Sequence, residues 1–203
     1  MTVSKWVNRA YPVYRGSETV EKVAREEKTL GFSTIVVMDD NDKLLGTVSA
    51  ERISGEDRSK KLEEFIVESP YFCLVDDYIE DAVLMLIESR DFVLPVIDDR
   101  SRVLGAITVY EILEALMEFT AMDRSGCRIS MLLEDVPGSL KGVVDALAES
   151  EINILSIVTT TQEDSRKRVV IRTSDTDIGK IAEALEGSTA MLESITEEEG
   201  FSA

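Results

Sequence analysis

Histidine is absent from the 203 residues, and cysteine occurs only as Cys73 and Cys127. Without imidazole the chain lacks the commonest general base near neutral pH, and a His-based metal site cannot be built. The two cysteines form no C-x-x-C, so no disulfide framework is implied; both are expected as buried small apolar residues. Basic residues are scarce as well: 22 Lys and Arg against 40 Asp and Glu leave a formal net charge of -18. That sign opposes counterion-release binding to nucleic acid or to an anionic membrane, and its plainest consequence is solubility. Long apolar runs are missing too. A stretch such as Phe92 to Ile97 falls far short of the ~20 residues that span a bilayer, and no charged-then-apolar leader is seen, so a cytoplasmic location is expected. No G-x-x-x-x-G-K-[ST], nucleophile elbow or zinc spacing occurs, which ranks catalysis below binding.

What is present is a repeat. An ungapped shift of 59 residues lays Val3 to Ile53 on Leu62 to Ile112. Trp6 meets Phe65 and Val20 meets Ile79. Ile35-Val36-Val37-Met38-Asp39-Asp40 meets Leu94-Pro95-Val96-Ile97-Asp98-Asp99, and Leu44-Leu45-Gly46-Thr47-Val48-Ser49 meets Val103-Leu104-Gly105-Ala106-Ile107-Thr108. In each half, polar starts predict helices over Val20 to Glu27 and Ile79 to Glu88. Apolar β-rich runs predict strands over Thr34 to Met38 and Val93 to Ile97. Turns of Asp and neighbouring polar residues then lead into strands over Leu44 to Ser49 and Val103 to Thr108. A closing helix from Tyr110 to Phe119 presents Ile112, Leu113, Leu116 and Met117 on one face. Each half therefore reads β-α-β-β-α.

The elements Leu94-Pro95-Val96-Ile97-Asp98 and Gly105-Ala106-Ile107-Thr108-Val109-Tyr110-Glu111 resemble the CBS domain, and two copies in tandem resemble a Bateman module, with boundaries near 1–60 and 61–122. The resemblance implies an adenosyl ligand of the AMP, ATP, NAD or S-adenosylmethionine class. Thr108 would lie near phosphate, and Glu111 would accept the ribose hydroxyls. In the first half Ser49 and Arg52 take those positions, and Arg52 cannot accept from ribose, although it could meet a phosphate. The implied base pocket uses Phe72, Cys73, Phe92, Val93 and Pro95, with Tyr14, Arg15, Ser33 and Thr34 as first-half counterparts. Two plainer readings stay open. Phe72 and Phe92 could be ordinary core aromatics, and Thr108 with Glu111 could be a helix cap worth ~1 kcal/mol.

After Ala121-Met122-Asp123-Arg124-Ser125-Gly126, a linker by composition, a second order begins. A strand is predicted over Arg128 to Leu133, then a helix with Pro137 at its first position and Leu140, Val143, Val144 and Leu147 inward. Strands follow over Ile152 to Thr161 and Arg166 to Arg172, a helix over Asp177 to Leu185, and a last strand over Met191 to Thr196. The acidic tail from Glu197 is expected to be loose. This β-α-β-β-α-β order, with Asp135-Val136-Pro137-Gly138-Ser139-Leu140 and Glu151-Ile152-Asn153-Ile154, resembles the ACT domain over 126–197, ahead of a tail at 198–203. The fold class is thus α/β (α+β): two CBS repeats plus a ferredoxin-like ACT domain. The second resemblance implies an amino-acid ligand held by Asp135, Pro137, Gly138 and Asn153, though a strand-to-helix loop with Asp135 as cap needs no ligand.

Together these readings point to a non-catalytic sensor that needs no cofactor and takes an adenine nucleotide or S-adenosylmethionine as regulatory ligand. The CBS-CBS-ACT order is similar to acetoin utilization proteins of the AcuB type. A homodimer is expected, with a regulated enzyme or transporter as possible partner and neither nucleic acid nor membrane. The alternative is a ligand-free oligomerisation or adaptor module. Asp39-Asp40 and Asp98-Asp99 read as turn formers rather than as acid-base pairs.

Overall fold

Each half of the repeat is organised around a strand whose residues are almost all buried, β2 (Thr34–Met38) in the first and β5 (Val93–Ile97) in the second. Continuous apolar character is what a strand covered on both faces requires. The structure, a computed structural model, describes residues 1–30, 33–67, 71–162 and 165–201. It contains two compact units, Met1–Ala115 and Leu116–Ala203.

In the first unit β1 (Val13–Arg15), α1 (Val20–Leu30), β2, β3 (Leu44–Ser49) and α2 (Ala50–Ile53) form one half. Its counterpart is β4 (Cys73–Leu74), α3 (Ile79–Ser89), β5, β6 (Val103–Thr108) and α4 (Val109–Thr120), whose last turn belongs to the second unit. Each sheet has the order first-second-third strand, with the outer pairs parallel and antiparallel respectively. The turns match in detail. Asp39 accepts from the Asn41 and Lys43 N–H groups at 2.8 Å, and Asp98 accepts from those of Arg100 and Arg102 at 2.9 and 2.8 Å. Both carboxyls are held below the usual range, chiefly by the Lys43 and Arg102 N–H groups. Asp42 and Ser101 sit in the same left-handed conformation, φ 63°. The closing helices differ: α2 is a single turn, and Gly55 beyond it has φ 90°. A residue in that region cannot continue a right-handed helix.

The halves exchange their leading segments. Val3 is buried in the core of the second half with Cys73, Ile79 and Leu94, and Trp6 packs against that cluster. Leu62 and Phe65 are buried in the core of the first half with Val20, Ile35 and Val48. Backbone pairing follows the same exchange: Asn8 N–H donates to the Ala106 carbonyl at 2.8 Å, and Val67 N–H donates to that of Thr47 at 2.9 Å. Gly105 and Gly46 make this approach possible. Both have φ near +148°, and a Cβ would fall 2.3 Å from the Asn8 carbonyl oxygen or 2.5 Å from that of Val67. Between the sheets, Val36, Val93 and Ala106 form a buried seam.

The second unit carries β7 (Gly126–Glu134), α5 (Lys141–Glu149), β8 (Ile154–Thr161), β9 (Arg166–Thr173), α6 (Ile178–Leu185) and β10 (Met191–Glu198). The sheet order is β10-β7-β9-β8, antiparallel throughout. Cys127, Ile129, Met131 and Leu133 alternate inward and pack with Val143, Leu147, Ile181 and Leu185. Two expectations are corrected. Pro137 is not the first helical residue; Gly138 takes φ 87°, a turn intervenes, and α5 starts at Lys141. Nor is the tail loose from Glu197: Glu197 and Glu198 pair with Cys127 and Gly126, the Arg172 guanidinium pairs with Glu198, and Phe201 N–H donates to the Asp123 carbonyl at 3.3 Å.

Gly105→Ala is expected to destabilise the first unit by at least about 2 kcal/mol, because the methyl meets backbone that cannot yield. Gly55→Ala, where nothing lies within 4 Å of the added atom, should cost only about 1–2 kcal/mol. Urea unfolding followed by the fluorescence of Trp6, the sole tryptophan, compares the two; a Gly105 variant no less stable than the Gly55 one would refute the close-approach argument.

Candidate functional site

The end of β6 and the start of α4 form a cap that also faces a cavity. Glu111 is the third helical residue, and its Oε2 accepts the Thr108 N–H at 2.8 Å and the Thr108 hydroxyl. The Thr108 oxygen in turn accepts from Tyr110 N–H at 3.1 Å. The other carboxylate oxygen accepts from Asn8 Nδ2 at 2.9 Å. Asn8 is itself fixed, since its Oδ1 accepts from Ala10 N–H at 3.0 Å and its backbone is paired to Ala106. Three donors thus hold a group with roughly four acceptor positions, so capacity is left for a ligand hydroxyl.

A cavity of about 590 Å³ opens beside this carboxylate. Thr108, Glu111, Phe92, Val93 and Ser33 line it together with Asn8 and Tyr11; Val109, Tyr110 and Leu113 complete the wall. Val93 is buried, whereas Phe92 is 67 % exposed and Tyr110 79 % exposed, so two aromatic rings stand free at the margin. The Tyr11 hydroxyl donates to the Thr34 carbonyl at 2.5 Å. Burial, and then the charges of Asp91 and Glu111, push its pKa far above the usual tyrosine value, so it stays a donor. Thr34 is buried beside Ser33 and donates its hydroxyl to Asp91 at 2.9 Å.

Other candidate residues lie apart from this cavity. Cys73 belongs to the second-half core; burial, then Asp77 and Asp81, pushes its thiol up to about 12. Phe72 precedes β4, partly exposed, and Pro95 is buried within β5 opposite Ala106. Tyr14 is a core residue of the first half, its hydroxyl donating to Glu26 at 2.6 Å, and Arg15 bonds the Asp39 carbonyl and Asp42 across the turn. Ser49 and Arg52 are exposed at the start of α2, and Ser49 makes no capping bond. The halves therefore differ where the site is made. The shift that equates Glu111 with Arg52 also equates Asn8 with Val67, so acceptor and positioning amide are both replaced. Asn8 and Tyr11 were not anticipated, although that paired exchange was visible in the repeat.

In the second unit, Asp135 pairs with Lys167 at 3.0 Å and donates its N–H to the Ser165 carbonyl. Pro137 and Gly138 occupy the turn ahead of α5, and Asn153 is exposed just before β8. A cavity of about 560 Å³ lies elsewhere, between α5 and α6. Among the described residues no group of three or more His, Cys, Asp or Glu side chains could hold a metal, and no helix is long and apolar enough to cross a membrane.

Residues 62–118 match the CBS domain family model and residues 128–187 the ACT domain family model. Inosine-5'-monophosphate dehydrogenase of Methanocaldococcus jannaschii is 27 % identical over 142 residues, 69 % of this chain and 28 % of that protein. The chain thus spans little more than a quarter of that relative. A CBS domain pair/ACT domain protein of Thermotoga maritima superposes with a TM-score of 0.55 at 28 % identity, covering 58 % of this chain and 98 % of its own. CBSX2, solved in complex with AMP, superposes with a TM-score of 0.51 at 23 % identity, covering 57 % of this chain and 96 % of its own. The fold is that of a CBS pair with an ACT domain.

The thiols yield a direct check. Cys73 is buried with its pKa raised, and burial also raises that of Cys127. Neither should react with iodoacetamide at pH 8 until denaturant is added, because the thiolate is the nucleophile. Rapid labelling of the folded protein, read by mass spectrometry, would contradict the described cores.

Proposed function

We propose that this chain is a non-catalytic sensor whose CBS pair takes an adenosyl compound, of the AMP, ATP, NAD or S-adenosylmethionine class, in the cavity at the head of α4. The observation that carries this reading is the Glu111 carboxylate, oriented by Asn8 and Thr108 at the wall of a 590 Å³ space. The acceptor position that its three donors leave open can take a ribose hydroxyl, and the exposed Phe92 ring offers a face to a purine. The likeness to CBSX2, which was solved with AMP, is in keeping with it.

Both halves contribute to the wall, Ser33 from the first and Phe92, Thr108 and Glu111 from the second, while Asn8 arrives on the exchanged segment. A ligand bridging them stabilises their closed arrangement only by its differential affinity for the two states, typically ~1–3 kcal/mol. That shift would be the signal passed to a regulated enzyme or transporter. In the second unit an amino acid at Asp135, Pro137, Gly138 and Asn153 is the corresponding proposal, and it would have to displace or share Lys167. The domain order supports the likeness to the AcuB type as a label.

A second reading rests on exposed apolar side chains. Leu84 and Ile87 on α3, with Tyr110 and Leu113 on α4, are each more than half exposed. Such side chains suit a homodimer or an adaptor surface. Sedimentation at micromolar concentration tests the dimer, a monomeric mass counting against it.

Thermal shift with AMP, ATP, NAD and S-adenosylmethionine tests the sensor. At ~100-fold excess over its dissociation constant a ligand stabilises by ~2.7 kcal/mol. Glu111→Ala should weaken binding by roughly 10- to 100-fold, the worth of hydrogen bonds to a charged acceptor, while Arg52→Ala should leave it unchanged. A flat response to all four compounds would favour the adaptor.

A further inference from the structure

Among its described lining residues the cavity at the head of α4 is one-sided in charge, and from that we infer that it selects adenosyl ligands whose group beyond the ribose is uncharged or cationic, and discriminates against nucleotide phosphates. This deepens the adenosyl reading and rests on it.

A phosphate needs either a cation or free N–H donors. Among the described residues lining the cavity there is no Lys or Arg, and the one charged side chain is Glu111. Asp91 stands close behind, accepting from the Thr34 hydroxyl and from Phe92 N–H at 2.9 Å each. Arg9 and Arg102 line another cavity of about 450 Å³ that, among the described residues, shares only Tyr11 with this one, and Arg102 is already paired with Asp98 at 2.6 Å.

The helix head is largely taken up within the protein. Its N–H groups are the usual anchor for an anion, yet three in succession are engaged within the protein. Thr108 N–H goes to Glu111, Val109 N–H goes to the Phe92 carbonyl at 3.1 Å, and Tyr110 N–H goes to the Thr108 hydroxyl. The Glu111 carboxylate also occupies the position where negative charge complements the helix dipole. A second anion brought there meets a like charge in a partly enclosed space, where screening is weaker than in bulk water. A sulfonium or an ammonium meets the opposite. The upward displacement of the Tyr11 phenol by Asp91 and Glu111, after burial, reports the same negative surroundings.

Isothermal titration of the full chain with adenosine, S-adenosylmethionine, AMP and ATP in low salt tests the idea. Adenosine or S-adenosylmethionine should bind at least tenfold more tightly than AMP and ATP. Raising salt should narrow the gap between S-adenosylmethionine and AMP in the unaltered protein, a readout that needs no variant. Glu111→Gln keeps the shape and removes the charge, and in protein shown by circular dichroism to be folded it should shrink the disadvantage of AMP relative to adenosine. AMP or ATP binding as tightly as adenosine, or a gap indifferent to salt, would overturn the selectivity while leaving the adenosyl reading standing. Silence from all four compounds would sink that reading and the selectivity with it.

Discussion

The exchange of leading segments between the two halves is the contact on which the first unit depends. Neither sheet is completed by its own half: Asn8 adds the outer pairing to β6, and Val67 adds it to β3. The same segments deliver Val3 and Leu62, both fully buried, into the opposite cores. Each such side chain contributes about 1.5–3 kcal/mol of burial, and each pairing covers a sheet edge that would otherwise stand open. The glycines at 46 and 105 are the local condition for this closeness, because backbone oxygen of the crossing segment occupies the place where a Cβ would be. Folding of one half therefore presupposes the other.

The exchange also explains why the candidate site belongs to neither half alone. Asn8 reaches Glu111 because the segment carrying it has crossed to the second half and paired there. The equivalent crossing in the other direction brings Val67, and the equivalent helix position is Arg52. Ahead of the closing helices backbone symmetry is kept, with matched turns, matched glycines and matched strand registers, while the polar chemistry is found once. The repeated scaffold has two equivalent positions, and a carboxylate-centred arrangement stands in one of them.

The second unit shows the same division between framework and chemistry. Alternation along β7 places Cys127, Ile129, Met131 and Leu133 toward the helices. Ser130 points the other way, to the ion pair of Arg168 with Glu193. The positions expected to hold an amino acid are engaged locally, Asp135 by Lys167, and Gly138 serves the turn that delays the start of α5. That delay was hidden because Pro-Gly reads equally well as a helix start and as a turn, and the two differ only in the φ of Gly138.

By itself the sequence determined the elements and their duplication. The strands Thr34–Met38, Leu44–Ser49, Val93–Ile97 and Val103–Thr108 were legible to the residue, since apolar continuity and Asp-rich turns act over a few positions. It also marked Thr108, Glu111, Phe92, Val93 and Ser33, which share a cavity, and with them Cys73 and Tyr14, which lie in the two cores, and Pro95, buried within β5. Only the tertiary structure decided which segments cross, and therefore that Asn8 meets Glu111 from 103 positions away and that Tyr11 joins the wall. Periodicity and turn chemistry are local and are written along the chain; the partner across a cleft is chosen by how whole halves pack, which no short window of residues contains.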